Sequence, residues 1–277
     1  MGGDTAIWVN GTRESALDLP DRGLDYGDGL FETLLLRRGN PLFIDTHLQR
    51  LQRGLTALGF PAVLERARQE LQRAAAGAGD HEWAVLRLTV TRGAGPRGYA
   101  PPERAAPRTV VRLTALEYDA GQQGEGVRLG LADIRCSAQP ALAGIKHLNR
   151  LEQVLAAAQV REQGCEEGVM LDPSGTVVSA VAGNLFYLRD GALHTPALGH
   201  CGVAGTRRAL LAQRWAPSIG LAVHEDSVAI EDLLAAEEVF YTNAVQGIRP
   251  VAHFGRVHWS AHPVAQRLFR CYLADCA

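Results

Sequence analysis

Residues 6–9, Ala-Ile-Trp-Val, form a short apolar run that breaks at Asn10-Gly11. That predicts a strand entering a tight turn, because Asn and Gly both tolerate the positive φ that hairpin turns require. Residues 33–37 and 42–44 flank Arg38-Gly39-Asn40 and predict a second hairpin. The period then changes. From Asp45 or Thr46 onward, Leu48, Leu51, Leu55 and Leu58 recur at helical spacing, and Gly59 stands at the expected stop. A second helix is predicted over 64–76. Residues 83–91 and 109–116 read as strands joined by a Gly/Pro-rich loop.

The stretch Asp119-Ala120-Gly121-Gln122-Gln123-Gly124-Glu125-Gly126 has a linker's composition. It divides the chain into a smaller N-terminal domain (1–118), a linker (119–126) and a larger C-terminal domain (127–277). Beyond it the pattern predicts a strand over 127–134, then a strongly amphipathic helix over 148–163 ended by Gly164. Short strands follow at 168–171, 177–181 and 185–188, with turns at Asp172-Pro173-Ser174-Gly175 and Asp190-Gly191. A helix over 206–215, a strand near Leu221, a helix near Ile230, a strand over 239–242 and a last helix over 263–274 with Ser260 as N-cap complete the reading. This is a two-domain α+β protein with mixed or antiparallel sheets, not a repeated βαβ array.

Composition narrows the class. The 277 residues are 47% apolar, enough for a sizeable core, with net charge -2 and a pI near 6.5. No basic face stands out, so nucleic acid is not an expected partner. No apolar run reaches the length of a membrane span, and the N-terminus lacks the basic and apolar regions of a signal peptide. Five dispersed cysteines without a C-x-x-C pair read as reduced thiols of a cytoplasmic protein. No metal site is expected. Of the nine histidines, only His253 and His258 come near ligand spacing, and they flank a turn at the surface.

One count is sharper. Of 28 Lys and Arg residues a single one is lysine, Lys146. An Arg-favouring coding bias accounts for the arginines but not for the exception. Surface charge can come from either residue; an imine-forming amine cannot, because guanidinium stays protonated. Lys146 lies in Ala143-Gly144-Ile145-Lys146-His147-Leu148-Asn149-Arg150-Leu151-Glu152-Gln153, where an extended segment feeds a helix.

A phosphate-bearing carbonyl cofactor also needs an anion clamp. Gly202-Val203-Ala204-Gly205-Thr206-Arg207-Arg208 is a glycine-bracketed turn opening a helix, although such a turn alone is a common loop. Arg50, on the helix after Asp45, and Tyr241-Thr242-Asn243-Ala244, at a strand end, are each ambiguous by themselves.

Together these stretches resemble the fold-type IV pyridoxal-phosphate (PLP) enzymes and, within them, the 4-amino-4-deoxychorismate lyases. The likeness runs from Val9-Asn10-Gly11 to Pro250. It is carried by residues 21–33, by Thr91-Arg92-Gly93-Ala94-Gly95-Pro96-Arg97-Gly98-Tyr99, by residues 145–153 and by residues 201–205. The resemblance implies a cofactor between the two domains, with Lys146 as its Schiff-base partner and proton shuttle. Arg50 would bind the phosphate with Thr206, Arg207, Asn243 and Ala244. Arg97 would clamp a substrate carboxylate with Tyr99 beside it, and Thr33 would lie near the reacting centre. It further implies a homodimer and a small-molecule substrate, cleaved to p-aminobenzoate and pyruvate.

The sequence departs from that family at one place. Five residues before Asn184-Leu185-Phe186, where the family has a glutamate for the pyridine nitrogen, stands Ser179. A hydroxyl can hydrogen-bond the nitrogen but brings no charge to it, so the electron sink is weaker. Elimination that ends in an aromatic ring tolerates this better than transamination does. The rival readings are an aminotransferase of the same fold, acting on a D- or branched-chain amino acid, and a PLP-binding protein without turnover.

Overall fold

The first apolar run forms β1 (Thr5–Val9), which turns through Asn10 (φ 50°) and Gly11 (φ 82°) into β2 (Thr12–Arg13). In this computed structural model residues 5–14, 16–79, 81–118 and 126–276 are described. A short helix α1 (Arg22–Tyr26) follows, its first turn capped by the Asp21 carboxylate, which accepts the Gly23 N–H. Then come β3 (Gly29–Arg37), β4 (Asn40–Pro41), α2 (Ile44–Ala57), α3 (Leu64–Ala76), β5 (Trp83–Thr91) and β6 (Arg108–Ala115). The strands form an antiparallel sheet in the order β2-β1-β6-β5-β3-β4.

The predicted strand over 42–44 is not there. The hairpin forms, but its return strand is β4, followed by one more ladder bond from the Leu42 N–H to the Leu35 carbonyl (2.9 Å), and Ile44 already opens α2. One face of β3, carrying Leu30, Glu32, Leu34 and Leu36, is fully buried and packs on α2. The opposite face carries Phe31, Thr33, Leu35 and Arg37.

The second half runs β7 (Val127–Arg135), α4 (Leu151–Glu162), β8 (Glu167–Leu171), β9 (Val177–Ala180), β10 (Asn184–Arg189) and β11 (Ala192–Pro196). A helical run follows: α5 (Thr206–Leu210), one wider turn (Leu211–Trp215) and α6 (Ala216–Ser218). It ends with β12 (Val223–Asp226), α7 (Ile230–Leu234), β13 (Glu238–Asn243), β14 (Gly247–Phe254), β15 (Val257–His258) and α8 (Pro263–Asp275). The sheet is mixed, in the order β12-β11-β10-β13-β14-β7-β8-β9, with β15 on β14. β7 and β8 are parallel across α4, and β11 and β12 across the helical run, in an otherwise mainly antiparallel sheet. One core packs Val169, Leu171, Leu185, Tyr187, Val239 and Tyr241 together; a smaller one holds Ala132, Cys136, Ala156, Met170 and Val178.

Four expectations change here. α4 starts at Leu151, not at residue 148, because residues 146–148 are spent pairing with β3. Nor does α4 have a buried apolar face: Leu151, Val154 and Leu155 are exposed, and Ala156 and Val160 do the packing. The strand expected near Leu221 is β12, and the N-cap of α8 is His262 instead of Ser260. Strands β11 and β14 were not anticipated, since turn-forming Gly and Pro residues interrupt their alternation.

The chain separates into two compact units. Unit one is 1–118 with 145–149; unit two is 119–144 with 150–277. Apart from Gly126, the expected linker lies outside the described residues. The segment bearing Lys146 belongs to the first unit, returning to it from a chain position far beyond Tyr118.

Candidate active site

In the first unit, Lys146 is held as an added strand along β3. The Phe31 N–H donates to the Lys146 carbonyl (3.0 Å), and the Leu148 N–H donates to the Gly29 carbonyl (3.0 Å). His147 bridges Leu30 between these bonds, and Asn149 Nδ2 donates to the Gly27 carbonyl. Gly29 is needed there, because a Cβ would meet Leu148 and the Val90 carbonyl. The backbone of the reactive residue is therefore fixed, and its Nζ sits 4.3 Å from the centroid of Phe31. A ring face suits an ammonium group and limits its access to water. Thr33 is two residues along the same face of β3 and stands across from Arg87 on β5.

The other face of β3 buries a charged triad. Glu32 accepts from Arg50 Nε (2.8 Å) and Nη2 (2.6 Å), and its Oε2 lies 2.7 Å from His47 Nδ1. Glu32, His47 and Arg50 are all buried. Burial alone would raise the Glu32 carboxyl, but the charge and hydrogen bonds of Arg50, helped by His47, hold it down at about 2. Arg50 is thus a fixed, charge-compensated arginine and not the solvated residue of an ordinary helix surface.

Arg97 and Tyr99 occupy the loop after β5. Both are exposed, and Arg97 makes no hydrogen bond or ion pair among the described residues. The loop itself is anchored. Buried Arg22 donates to the carbonyls of Gly98 (3.0 Å) and Tyr99 (2.7 Å) and to Asp28 (2.9 Å), while the Tyr26 hydroxyl accepts from the Gly98 N–H. Tyr26 and Tyr99 meet edge to face at 5.4 Å. Asp28 also accepts from Arg92 (2.8 Å). Sequence reasoning placed residues 21–33 among the family motifs without finding this bracing role.

In the second unit the chain forms a stapled turn, or cup, where α5 begins. Asn184 Nδ2 donates to the Val203 carbonyl (2.9 Å), and its Oδ1 accepts from Gly205 N (3.0 Å), so one amide staples both sides of the turn. A Cβ at Gly205 would collide with that Oδ1. The N–H groups of Thr206 and Arg207 lie in the first turn of α5, at the positive end of its dipole. Buried Arg207 donates from Nη2 to the Ala244 carbonyl (3.0 Å), tying this turn to the β13–β14 turn. The Asn243 side chain is consumed locally: its Oδ1 accepts from Val245 N and Gln246 N. Only its backbone remains for a ligand.

Thr242, the cross-strand partner of Asn184, buries a hydroxyl with no partner among the described residues. This donor points to the cup's face of β13 and was missed in the sequence; a polar residue in the alternating run 239–242 was its only signal. Taken by itself, the strand-held lysine of the first unit suits an aldehyde, and the turn of the second unit, with its orphaned buried hydroxyl, suits a phosphate; PLP carries both groups.

Ser179 lies on β9 opposite Met170 of β8, so the two side chains share a face. The nearby buried carboxylate, Glu167, is on the other face of β8 with Val169 and Leu171. It accepts from the Gly168 and Ala182 N–H groups, and burial raises its pKa despite those bonds. Glu167 therefore does not stand in for the charge absent at Ser179. Among the described residues there is no group of His, Cys, Asp and Glu fit to hold a metal ion, and no helix is long and apolar enough to cross a membrane.

Comparison with known proteins agrees with this picture. The model of the family described as amino-transferase class IV matches residues 29–254. An aminodeoxychorismate lyase of Vibrio harveyi is 34% identical over 249 residues, covering 89% of this chain and 90% of the relative. The crystal structure of 4-amino-4-deoxychorismate lyase from Pseudomonas aeruginosa is 43% identical with a TM-score of 0.87, over 97% of this chain and 98% of that one. A putative branched-chain-amino-acid aminotransferase of Methanocaldococcus jannaschii is 28% identical, covering 91% and 88%.

Proposed function

Because the chain belongs to the class IV aminotransferase family, we propose that it is a PLP-dependent lyase converting 4-amino-4-deoxychorismate to p-aminobenzoate and pyruvate. The observation that carries this reading is the pairing of Lys146, the sole lysine, with β3 in a chain that matches lyases along nearly its whole length.

Bound PLP supplies an electron sink beside the amine-bearing carbon of the substrate. Lys146 takes the proton from that carbon; two backbone bonds to β3 fix its main chain, and its Nζ lies over Phe31. The neighbouring carbon–oxygen bond then breaks, the ring becomes aromatic, and the enolpyruvate released takes up a proton on carbon to become pyruvate. Arg50, the first-turn donors of Thr206 and Arg207, and the backbone of Asn243 and Ala244 hold the phosphate. Arg97 and Tyr99 receive a substrate carboxylate, a group that Arg can engage with two parallel bonds. Thr33 lines the reacting face. Ser179 offers the pyridine nitrogen a neutral hydroxyl, adequate where aromatisation drives the step.

The protein would act in the cytoplasm as a homodimer. Supporting the dimer, Leu151, Val154 and Leu155 form an exposed apolar stripe on α4 of a kind that monomers seldom leave to water.

The aminotransferase relative from Methanocaldococcus jannaschii favours the rival activity. The deciding experiment supplies the PLP-loaded protein with aminodeoxychorismate and, separately, with D-alanine or a branched-chain amino acid plus a 2-oxo acid. Equal amounts of p-aminobenzoate and pyruvate, with slow or no amino-group exchange, are expected. Rapid exchange without p-aminobenzoate would replace the lyase by an aminotransferase.

A further inference from the structure

The face of the first unit's sheet that carries Phe31 and Thr33 also presents two arginines. Arg87 on β5 faces Thr33 on one side and Arg112 of β6 on the other. The Arg87 guanidinium lies 4.1 Å from the centroid of Phe31, the ring over which Lys146 Nζ lies at 4.3 Å. The two cations share one aromatic ring and are no farther apart than the sum of those distances. Among the described residues, neither Arg87 nor Arg112 makes a hydrogen bond or an ion pair.

The buried arginines of this unit are compensated, Arg50 by Glu32 and Arg22 and Arg92 by Asp28, as is half-buried Arg108 by Asp21. Burial, and then the charge of Arg112, push the Arg87 guanidinium below its ordinary pKa. Like charges on directly opposed strands are destabilising. An uncompensated, half-buried cation kept beside the reactive lysine marks a place where an anion completes the charge balance.

We propose that Arg87 binds a carboxylate of the substrate, forming an anionic subsite beside Lys146 in addition to the Arg97 loop. This rests on the lyase reading, and that reaction's balance demands such a group. Both products carry a carboxylate, so the substrate that yields them carries two, and Arg97 accounts for one. Its planar fork and aromatic backing suit Arg87 to the second.

The test uses PLP-loaded wild type, Arg87→Gln and Arg87→Lys, with loading checked by the visible absorbance of the bound cofactor. For Arg87→Gln the KM for aminodeoxychorismate should rise about 10- to 100-fold, the scale of a lost charge-assisted hydrogen-bond pair, with kcat changed only a few-fold. Arg87→Lys should recover part of the loss. The thermal midpoint of Arg87→Gln should be no lower than that of wild type, since a like-charge contact is relieved.

Calorimetric binding of p-aminobenzoate and of pyruvate identifies which carboxylate is held. One of them should lose about 10- to 100-fold in affinity in Arg87→Gln, and the other little. Both products binding Arg87→Gln as tightly as wild type, or neither binding wild type, would overturn the subsite. A wild type that makes no p-aminobenzoate yet binds it through Arg87 would sink the lyase reading and leave the subsite standing. Full turnover with an unchanged KM in Arg87→Gln would do the reverse.

Discussion

Replacing Glu32 by Gln removes a negative charge that pairs with buried Arg50 while keeping the side chain's volume. The carboxyl is held at about 2 in the folded protein, against an ordinary value of 4.5, chiefly against the pull of its own burial. A depression of that size corresponds to about 3 kcal/mol of folding stability near neutral pH. Leaving one member of a buried pair without its partner costs a similar amount. Because the folded-state pKa is the lower one, this stability is present above about 4.5 and is lost as pH falls toward about 2. Denaturant unfolding of wild type and Glu32→Gln at a series of pH values isolates the effect, because other carboxylates titrate alike in both. The difference should be about 3 kcal/mol at pH 6 and should shrink through the window from 4.5 to 2. A difference below about 1 kcal/mol at pH 6, or one that does not change with pH, would refute the argument that Glu32 is the ionised anchor of Arg50.

Three further outcomes follow from the same geometry. Ser179→Glu should leave lyase turnover within about tenfold of wild type while raising any amino-group exchange, because only the latter must sustain a carbanion; an increase of orders of magnitude in p-aminobenzoate formation would contradict the view that the neutral hydroxyl suffices. Asn184→Ala removes both bonds that staple residues 203–205, so PLP should dissociate about tenfold more readily in an absorbance titration, and unchanged affinity would show the cup to be held by other means. Leu151→Glu combined with Val154→Glu places charge on the apolar stripe of α4. Sedimentation should then find monomers, and a dimer that survives would move the interface elsewhere.

Much of the fold was legible because the periodic stretches were long. α3 and β5 fall within the bounds read from spacing, and the strand over 127–134 is one residue short of β7. The miscalls occur where tertiary pairing overrides local pattern. Leu148 has helical neighbours downstream, yet its backbone, with those of Lys146 and His147, is engaged by β3, more than 100 positions earlier in the chain. The leucines of α4 read as a core face because apolar spacing cannot say whether its partner is the same chain. Lys146 was legible from its rarity, and residues 201–207 from their glycines. Arg87 was not, since one arginine in a chain rich in arginine carries no local signal. Only the register of β3 against β5 puts it beside Phe31, and only the missing counter-ion distinguishes it from Arg22, Arg50 and Arg92. The opposite faces of Ser179 and Glu167 likewise depend on the bulge between β8 and β9, which no pattern of residues 167–180 discloses.

The most direct test of the account compares wild type with Lys146→Ala, both supplied with PLP and aminodeoxychorismate, by release of p-aminobenzoate. The account predicts sustained release from wild type, none above background from Lys146→Ala, and loss from the variant of the visible absorbance of covalently held cofactor. Product from Lys146→Ala at a rate near that of wild type would contradict it, because no other lysine exists in the chain to take its place.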